Sequence, residues 1–265
     1  MSIKYSYSKL NTFKSCPQQY KIIYIDKNRN PHESIEAFMG KRVHEVLEWL
    51  YLKKDLKDNL ILFDVLMDKY EEVWNDNWHD SIFIARCKYN HQSYNTNVVY
   101  KIGLECLKNY YSLFNNKGYF KESILEVEYK FNVKIGNYIF RGFIDRIDMD
   151  SNGTIDIIDY KTGKKDKSLY QANNDFQLAI YYLALRNLYK DNRIRLNFYN
   201  LRSKNIVKAE YNNDKVDKLI KKIKCAVFDI ENANEYMAKE SLLCEWCHYW
   251  NECEVKSSKN PSIRL

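Results

Sequence analysis

Three charged residues on two neighbouring segments of the chain have types and spacing that suit chemistry at a metal ion. Asp145 falls near the end of one strand-like segment, and Asp159 and Lys161 fall in the next one. Residues i and i+2 of a strand share a face, so Asp159 and Lys161 point the same way while Tyr160 points the opposite way. A hairpin between the two segments would bring Asp145 to the same place.

Two carboxylates and a lysine on one sheet face need a compensating interaction, because unpaired charges are costly there. A divalent cation held by oxygen ligands is one such interaction, and phosphodiester hydrolysis uses such a cation to activate water and to offset charge on the phosphate. Lys161 would then position the water or stabilise the oxyanion. The alternative is an Asp–Lys ion pair on a solvated strand face, and spacing alone favours this alternative because charged strand faces are common.

Period-two patterns surround these residues and predict a three-stranded meander. The predicted strands cover residues 123–135, 138–149 and 154–161, with turns at Gly136-Asn137 and at 150–153. After the meander, the pattern predicts a helix at 174–190, strands at 194–201 and 205–211, and an amphipathic helix at 213–237.

The segment ahead of the meander carries helical patterns. They lie at residues 6–24 (broken at Cys16-Pro17), 40–55, 58–79 and 96–115, with a loop at 85–95. The order of elements indicates a single α/β domain over residues 1–265. Its parts are a mainly helical segment (1–118), a core (119–211) and a C-terminal helix with a tail (212–265).

The composition fits a folded intracellular protein. Hydrophobic residues make up 45% of the 265 residues, and the net charge of +7 is compatible with a polyanionic partner without requiring one. The N-terminus lacks the apolar run of a signal peptide, and no stretch approaches the length of a membrane span. We therefore expect a cytoplasmic location and no membrane partner. Thiols stay reduced there, so the seven cysteines predict no disulfide framework.

The stretches "GFIDRID", "IIDYKTG" and "QLAIYYLAL" resemble the RecB-like branch of the PD-(D/E)XK nuclease superfamily. That branch includes the CRISPR-associated exonuclease family and the nuclease domains of bacterial recombination helicase-nucleases. The resemblance covers Ser6 to Cys253 and implies an αβββαβ core, a mixed sheet flanked by helices, which is the order that periodicity indicates here. It also implies Mg²⁺ or Mn²⁺ as the cofactor.

The resemblance assigns roles to residues of the meander. Asp145 and Asp159 match the metal-binding carboxylates, and Lys161 matches the catalytic lysine. The backbone carbonyl of Tyr160 is implied as a further metal ligand.

Residues of the next helix and of the first core strand also match. Gln177 and Tyr181 correspond to the helix motif and lie one turn apart on one face. Glu128 corresponds to an acidic residue of the first strand, although Glu126 shares its face.

His44 matches the histidine that this branch places on an N-terminal helix as an extra metal ligand. A lone helical histidine is more often structural, but the surrounding match at Gly40, Val43 and Glu48 favours the ligand. Glu48 lies one turn beyond His44. Two interpretations stay open: it contacts the metal ligands without binding the metal, or it is a charge on the helix surface.

The C-terminal stretch "LLCEWCHYWNECE" holds Cys244, Cys247 and Cys253, one ligand fewer than a structural metal site needs. His248 is a conceivable fourth zinc ligand, although consecutive residues rarely reach one tetrahedral ion. RecB-like families with an iron–sulfur cluster place a cysteine followed by proline near the N-terminus, and Cys16 matches it. The resemblance thus implies a [4Fe–4S] cluster on a C-terminal cluster-binding tail, with a zinc site or metal-free thiols as alternatives. The other three cysteines, Cys87, Cys106 and Cys225, are interpreted as ordinary buried residues.

The expected function is metal-dependent exonuclease activity on DNA, with a preference for single-stranded ends. The alternative is a nucleic-acid-binding or processing subunit of a recombination or CRISPR adaptation complex, with an unidentified protein partner. An iron–sulfur redox carrier would leave the strand carboxylates unexplained. The chain has no G-x-x-x-x-G-K-[ST] phosphate loop, so we expect a free-standing nuclease.

Overall fold

The computed structural model describes residues 4–28, 31–52, 62–85, 94–114, 124–256 and 263–264. The chain starts with a short strand, β1 (Lys4–Tyr5), and two helices, α1 (Tyr7–Ser15) and α2 (Pro17–Tyr20). The Ser6 side chain caps α1 by accepting a hydrogen bond from the Lys9 backbone N–H. Cys16 is extended between the helices, and Pro17 starts the next one, where its missing N–H costs nothing. The predicted break is confirmed.

Three longer helices follow: α3 (Ile35–Leu52), α4 (Phe63–Asp76) and α5 (Thr96–Phe114). Helix α3 begins before the predicted residue 40, because the Ser34 hydroxyl accepts a hydrogen bond from the Ala37 backbone N–H. A small sheet joins β2 (Glu33–Ser34), β3 (Ile82–Ile84) and β9 (Ile263–Arg264). Strands of two or three residues carry too little alternation to be predicted from the sequence.

The predicted meander is confirmed as β4 (Ile124–Ile135), β5 (Tyr138–Met149) and β6 (Ile155–Lys161), paired antiparallel in that order. Gly136 has a φ of 63°, a left-handed conformation that glycine adopts at little cost in a two-residue hairpin turn.

The meander is followed by α6 (Leu169–Ala172), α7 (Phe176–Leu185), β7 (Ile194–Asn200), β8 (Asn205–Glu210), α8 (Asn213–Glu231) and a 3₁₀ helix (Leu242–Trp246). Strand β7 runs parallel to β6 and antiparallel to β8. Helices α7 and α8 are shorter than the sequence predicts. Beyond Glu231 the Asn232 side chain bonds back to the Phe228 carbonyl, which ends α8.

Strand β5 has two partners along one of its edges. Its beginning pairs in parallel with β1, and its end pairs with β6. Strand β4 covers the other edge, and the complete sheet is mixed, with helices on both faces. This is the α/β architecture that the sequence predicts.

Two apolar cores hold the helices against the sheet. One packs α7 and α8 on a face that includes Ile157 and Phe198. The other packs α3, α4 and α5 on the opposite face, which includes Ile158 and Tyr160. None of the helices in the described part of the chain is long and apolar enough to cross a membrane.

Candidate functional site

The pairing of β5 with β6 ends next to the predicted carboxylates. The final residue pair of this ladder joins Arg146 to Ile158, and beyond it the two strands separate. In the fork, the Asp145 carboxylate accepts a hydrogen bond from the Tyr160 backbone N–H, with 2.7 Å between Oδ2 and N. The Asp145 side chain thus takes the place of the next backbone–backbone hydrogen bond of the ladder. One of its oxygens lies in the fork, which is the space between the separated strands.

Asp159 and Lys161 form an ion pair on the α7 face of β6. Asp159 is 2% exposed, and its Oδ2 is the oxygen that contacts the Lys161 ammonium. Burial raises the pKa of the Asp159 carboxyl, Lys161 lowers it and Asp145 raises it, and the result is a pKa of about 6. A buried carboxylate next to a second carboxylate suits a site that holds a cation.

Three side chains converge beside the fork. His44 of α3, Glu128 of β4 and Asp145 each offer one ligand atom, and these atoms all lie within 4.8 Å of one another. The distance from His44 Nδ1 to Asp145 Oδ2 is 3.5 Å. Imidazole nitrogen and carboxylate oxygens are ligands that divalent metals accept. Asp159 is outside this triad, because it pairs with Lys161.

Glu128 reaches the triad through an unusual backbone. Its φ is 48°, a left-handed conformation that costs about 1–3 kcal/mol in a residue other than glycine. Burial and then the charge of Asp145 raise the pKa of the Glu128 carboxyl to about 7. Glu126 is exposed instead. Of the two glutamates, the structure thus places Glu128, the one that the resemblance favoured, beside His44 and Asp145.

Helix α3 approaches the end of β6 closely. A Cβ atom at Gly40 would lie 3.0 Å from the Thr162 hydroxyl, a tight contact that the Thr162 side chain would have to relieve by a small shift. His44 lies one turn further along. Burial lowers the pKa of His44, but the charge and hydrogen bond of Asp145 and the charge of Asp159 together outweigh burial, so the pKa is raised. Glu48 contributes to raising the pKa of Glu128, so it lies near the triad without belonging to it.

A hydrogen-bonded chain supports the lysine from α7. Lys161 Nζ donates to Gln177 Oε1 at 3.0 Å, and Gln177 Nε2 donates to the Tyr181 hydroxyl at 2.8 Å. Burial lowers the pKa of Lys161, but the ion pair with Asp159 outweighs it and raises the pKa, so the ammonium stays charged.

The opposite face of β5 and β6 carries a buried polar network that the sequence analysis missed. Arg146 pairs with Asp148 through two nitrogens and donates to the hydroxyls of Tyr51 and Tyr110. The Tyr110 hydroxyl also bonds to that of Tyr160 at 3.2 Å. The alternation of "DRID" placed Arg146 and Asp148 on one face, which was the available signal. The network connects α3 and α5 to the strands that carry Asp145 and Asp159.

The four cysteines at the two ends of the chain line one cavity of about 260 Å³. Backbone N–H groups point at two of the sulfurs: that of Lys239 lies 3.5 Å from Cys16 Sγ, and that of Ser241 lies 3.4 Å from Cys244 Sγ. Burial raises the pKa of the Cys247 thiol to about 11. Four sulfurs with N–H donors form a donor set that suits a thiolate-bound metal or cluster.

His248 does not line this cavity. Its ring packs on His32 and Phe83, with centroid distances of 4.2 and 4.8 Å, beside the small sheet. The structure thus brings Cys16, and not His248, to the other three cysteines. Among the remaining cysteines, Cys106 is buried, Cys225 is exposed, contrary to expectation, and Cys87 lies outside the described residues.

Comparisons with known proteins identify the superfamily of this chain. The family model described as the PD-(D/E)XK nuclease superfamily matches residues 4–254. Over 209 residues, 67% of this chain, the sequence is 24% identical to a protein of Alkaliphilus oremlandii (strain OhILAs) that is named as one subunit of an ATP-dependent helicase/deoxyribonuclease. The aligned region spans 17% of that relative's length.

A solved structure has a similar fold. The crystal structure of a presumed exonuclease from Eubacterium rectale has a TM-score of 0.53 at 10% sequence identity. The similarity covers 96% of this chain and 89% of the other. At this identity it concerns the fold alone.

Proposed function

This chain belongs to the PD-(D/E)XK nuclease superfamily, and from that membership we propose that it is a metal-dependent DNA exonuclease that acts on single-stranded ends. The observation that carries the proposal is the fork between β5 and β6. It holds Asp145 and Asp159 next to Lys161, with His44 and Glu128 beside them. A binding protein without catalysis would have no need of this set.

The residues suited to hold Mg²⁺ or Mn²⁺ are His44, Glu128 and Asp145, with Asp159 and the Tyr160 carbonyl as further ligands. The fit rests on the converging triad and on the buried Asp159 carboxylate, which lies close enough to Asp145 and His44 for their charges to act on its pKa. When bound, the cation supplies charge stabilisation at the phosphate and activation of water.

Lys161 has the contacts of a positioned cation. Asp159 and Gln177 hold its ammonium from two sides, and Tyr181 orients the Gln177 amide. A charged group fixed before the reaction stabilises developing negative charge on a phosphoryl oxygen without reorganisation. We assign this role to Lys161 and assign Gln177 and Tyr181 as positioning residues.

Within the superfamily, we infer the RecB-like branch and a relation to CRISPR-associated exonucleases. The relative named as part of a helicase/deoxyribonuclease supports the inference, although the chain aligns with a small part of it. We also infer that residues 1–265 form one nuclease domain, since β1 pairs with β5 of the core.

We propose that Cys16, Cys244, Cys247 and Cys253 hold a [4Fe–4S] cluster, with zinc as the alternative. Their shared cavity and the N–H groups directed at the sulfurs support a metal-bound state. Such a cluster would connect α1 and α2 to the C-terminal tail. Closing a loop of this length restricts the unfolded chain, although the gain grows only logarithmically with length.

The test of the nuclease is cleavage of end-labelled single-stranded DNA with Mg²⁺ or Mn²⁺. We expect wild-type protein to release nucleotides from an end and to lose this activity in EDTA. Lys161→Ala should be slower by about 10²–10³-fold, with Lys208→Ala, an exposed lysine of β8, as the matched control. Full activity of Lys161→Ala would disprove the assignment.

A second candidate is a nucleic-acid-processing component of a recombination or CRISPR adaptation complex. The name of the relative as one subunit of a larger enzyme favours it. A gel shift beside the cleavage assay separates the two, since a component that only binds shifts DNA without shortening it.

A further inference from the structure

A groove of about 890 Å³ lies beside the fork, between α1, the segment that holds α6, the start of α7 and the exposed face of α8. We call it the lysine groove. Its aromatic lining consists of Tyr7, Phe13, Tyr170 and Phe176. Tyr170 is 78% exposed, which is unusual for so large a ring. Exposed aromatic faces are platforms on which unpaired bases stack.

The charge of the groove is positive. Five lysines line it together with two aspartates, Asp175 and Asp229. Lys167 pairs with Asp175. In the described part of the chain, no carboxylate lies within ion-pair distance of Lys221 or Lys222, which follow one another on α8. These two ammonium groups are available to an anion.

The groove reaches the catalytic lysine. Phe176, in its wall, directly precedes Gln177, which accepts a hydrogen bond from Lys161. Lys167 and Lys161 lie against the same ring, with their Nζ atoms 5.0 and 5.2 Å from the Phe198 centroid. Tyr7 is close enough to Asp159 for that carboxylate to contribute, after burial and Asp175, to its raised pKa of about 12. The groove is thus adjacent to the residues that hold Lys161.

We propose that the lysine groove binds the single-stranded segment of DNA that leads into the fork. Bases stack on Tyr170 and Phe176, and phosphates contact Lys221 and Lys222. The combination favours a single strand, because a duplex covers its base faces and offers only phosphates to a protein groove. This inference rests on the proposed nuclease function and adds the path of its substrate.

The test is the affinity for fluorescent oligothymidylate, measured by anisotropy in EDTA so that cleavage plays no part. Lys221→Ala/Lys222→Ala should bind about tenfold more weakly or worse. The slope of log affinity against log salt should become shallower by about 1.4, since each phosphate contact of a single strand contributes about 0.7. Tyr170→Ala should also bind roughly tenfold more weakly, with an unchanged slope, because it removes stacking and no charge.

The matched control is Lys208→Ala/Lys224→Ala, which removes the same charge from exposed positions outside the groove. Lys224 lies on α8 itself, but its side chain packs toward Gly136. This variant should keep the wild-type affinity and a slope steeper than that of the groove variant. Thermal unfolding verifies that each variant is folded.

Equal affinity of the groove and control variants would overturn the proposal. The proposal would also be overturned if the groove variants lost affinity equally for a blunt duplex and for the single strand. Displacement of the oligonucleotide by polyglutamate at equal charge concentration would overturn it as well. The cleavage test decides the nuclease function separately: activity that depends on Lys161, together with unchanged binding by the groove variants, would reject the groove alone.

Discussion

The Asp145 carboxylate is bound to the backbone N–H of Tyr160, over 2.7 Å, at the point where the β5–β6 ladder ends. One oxygen thus has a structural partner, and the carboxylate also belongs to the triad with His44 and Glu128. The Asp145 side chain therefore connects the ends of β5 and β6 and also contributes a negative charge to the site.

Two substitutions of Asp145 separate these tasks. Asp145→Asn keeps an oxygen for the Tyr160 N–H but removes the charge, so cleavage should fall by about 100-fold or more while the melting temperature changes little. Asp145→Ala also loses the hydrogen bond, worth about 1–3 kcal/mol when the N–H stays buried, and should melt several degrees lower. Calorimetry and a cleavage assay measure the two effects. Equal melting temperatures of both variants would contradict the structural task.

The Arg146 network predicts a large stability effect away from the fork. Arg146→Met leaves the Asp148 carboxylate, 6% exposed, without its cation, which should cost about 3–5 kcal/mol. The melting temperature should fall by about 10 °C. Arg146→Met/Asp148→Asn removes both charges and should recover about half of the loss. If the double variant is no better than the single one, the pair is not the source of the effect.

The pH dependence of stability follows from the site carboxyls. The pKa values of Glu128, about 7, and Asp159, about 6, are raised, so the folded state binds more protons than the unfolded state between about pH 4 and pH 7. The free energy of unfolding from these groups therefore falls as the pH rises through this window. The raised pKa of His44 acts in the same direction.

A bound divalent metal should oppose this decrease in the free energy of unfolding at higher pH. Its ligands must be deprotonated, so Mn²⁺ should raise the melting temperature more at about pH 8 than at about pH 5.5, by several degrees. Scanning fluorimetry with Mn²⁺ or EDTA measures the difference. Glu128→Gln should weaken both the pH dependence and the response to metal. An identical response of this variant would exclude Glu128 as a ligand.

The cysteine cavity predicts a coloured protein. Chains purified without oxygen should contain roughly four iron and four sulfide ions, and Cys16→Ser should lose them as completely as Cys247→Ser. Cys225→Ser, at an exposed position outside the cavity, is the control and should keep the colour. Zinc in place of iron, or full colour in Cys16→Ser, would require a different ligand set.

The elements around the site were predictable because their signals are local. The alternation of apolar and polar residues predicted the meander, Gly136-Asn137 predicted its turn, and Cys16-Pro17 predicted the break between the first two helices. The i, i+2 rule placed Asp159 and Lys161 on one face, as observed.

The remaining features depend on contacts between distant segments. Glu128 has a left-handed backbone and a partly buried side chain whereas Glu126 is exposed, and residue type does not separate two glutamates. The joining of Arg146 with Tyr51 and Tyr110 requires α3 and α5 to cross the sheet at one place. The approach of Cys16 to the tail was expected from family resemblance, since no local pattern connects residues so far apart.

The contacts that Tyr5 and Cys16 make with distant residues affect the order in which the structure forms during synthesis. Tyr5 donates a hydrogen bond to Glu231 at 2.7 Å, and Cys16 shares its cavity with Cys253. Tyr5 therefore contacts a residue that is synthesised 226 positions later, and such long-range contacts form slowly. On the ribosome, the lysine groove lacks its α8 wall until that helix emerges. The nascent chain thus acquires its strand-binding surface after the catalytic strands have been made.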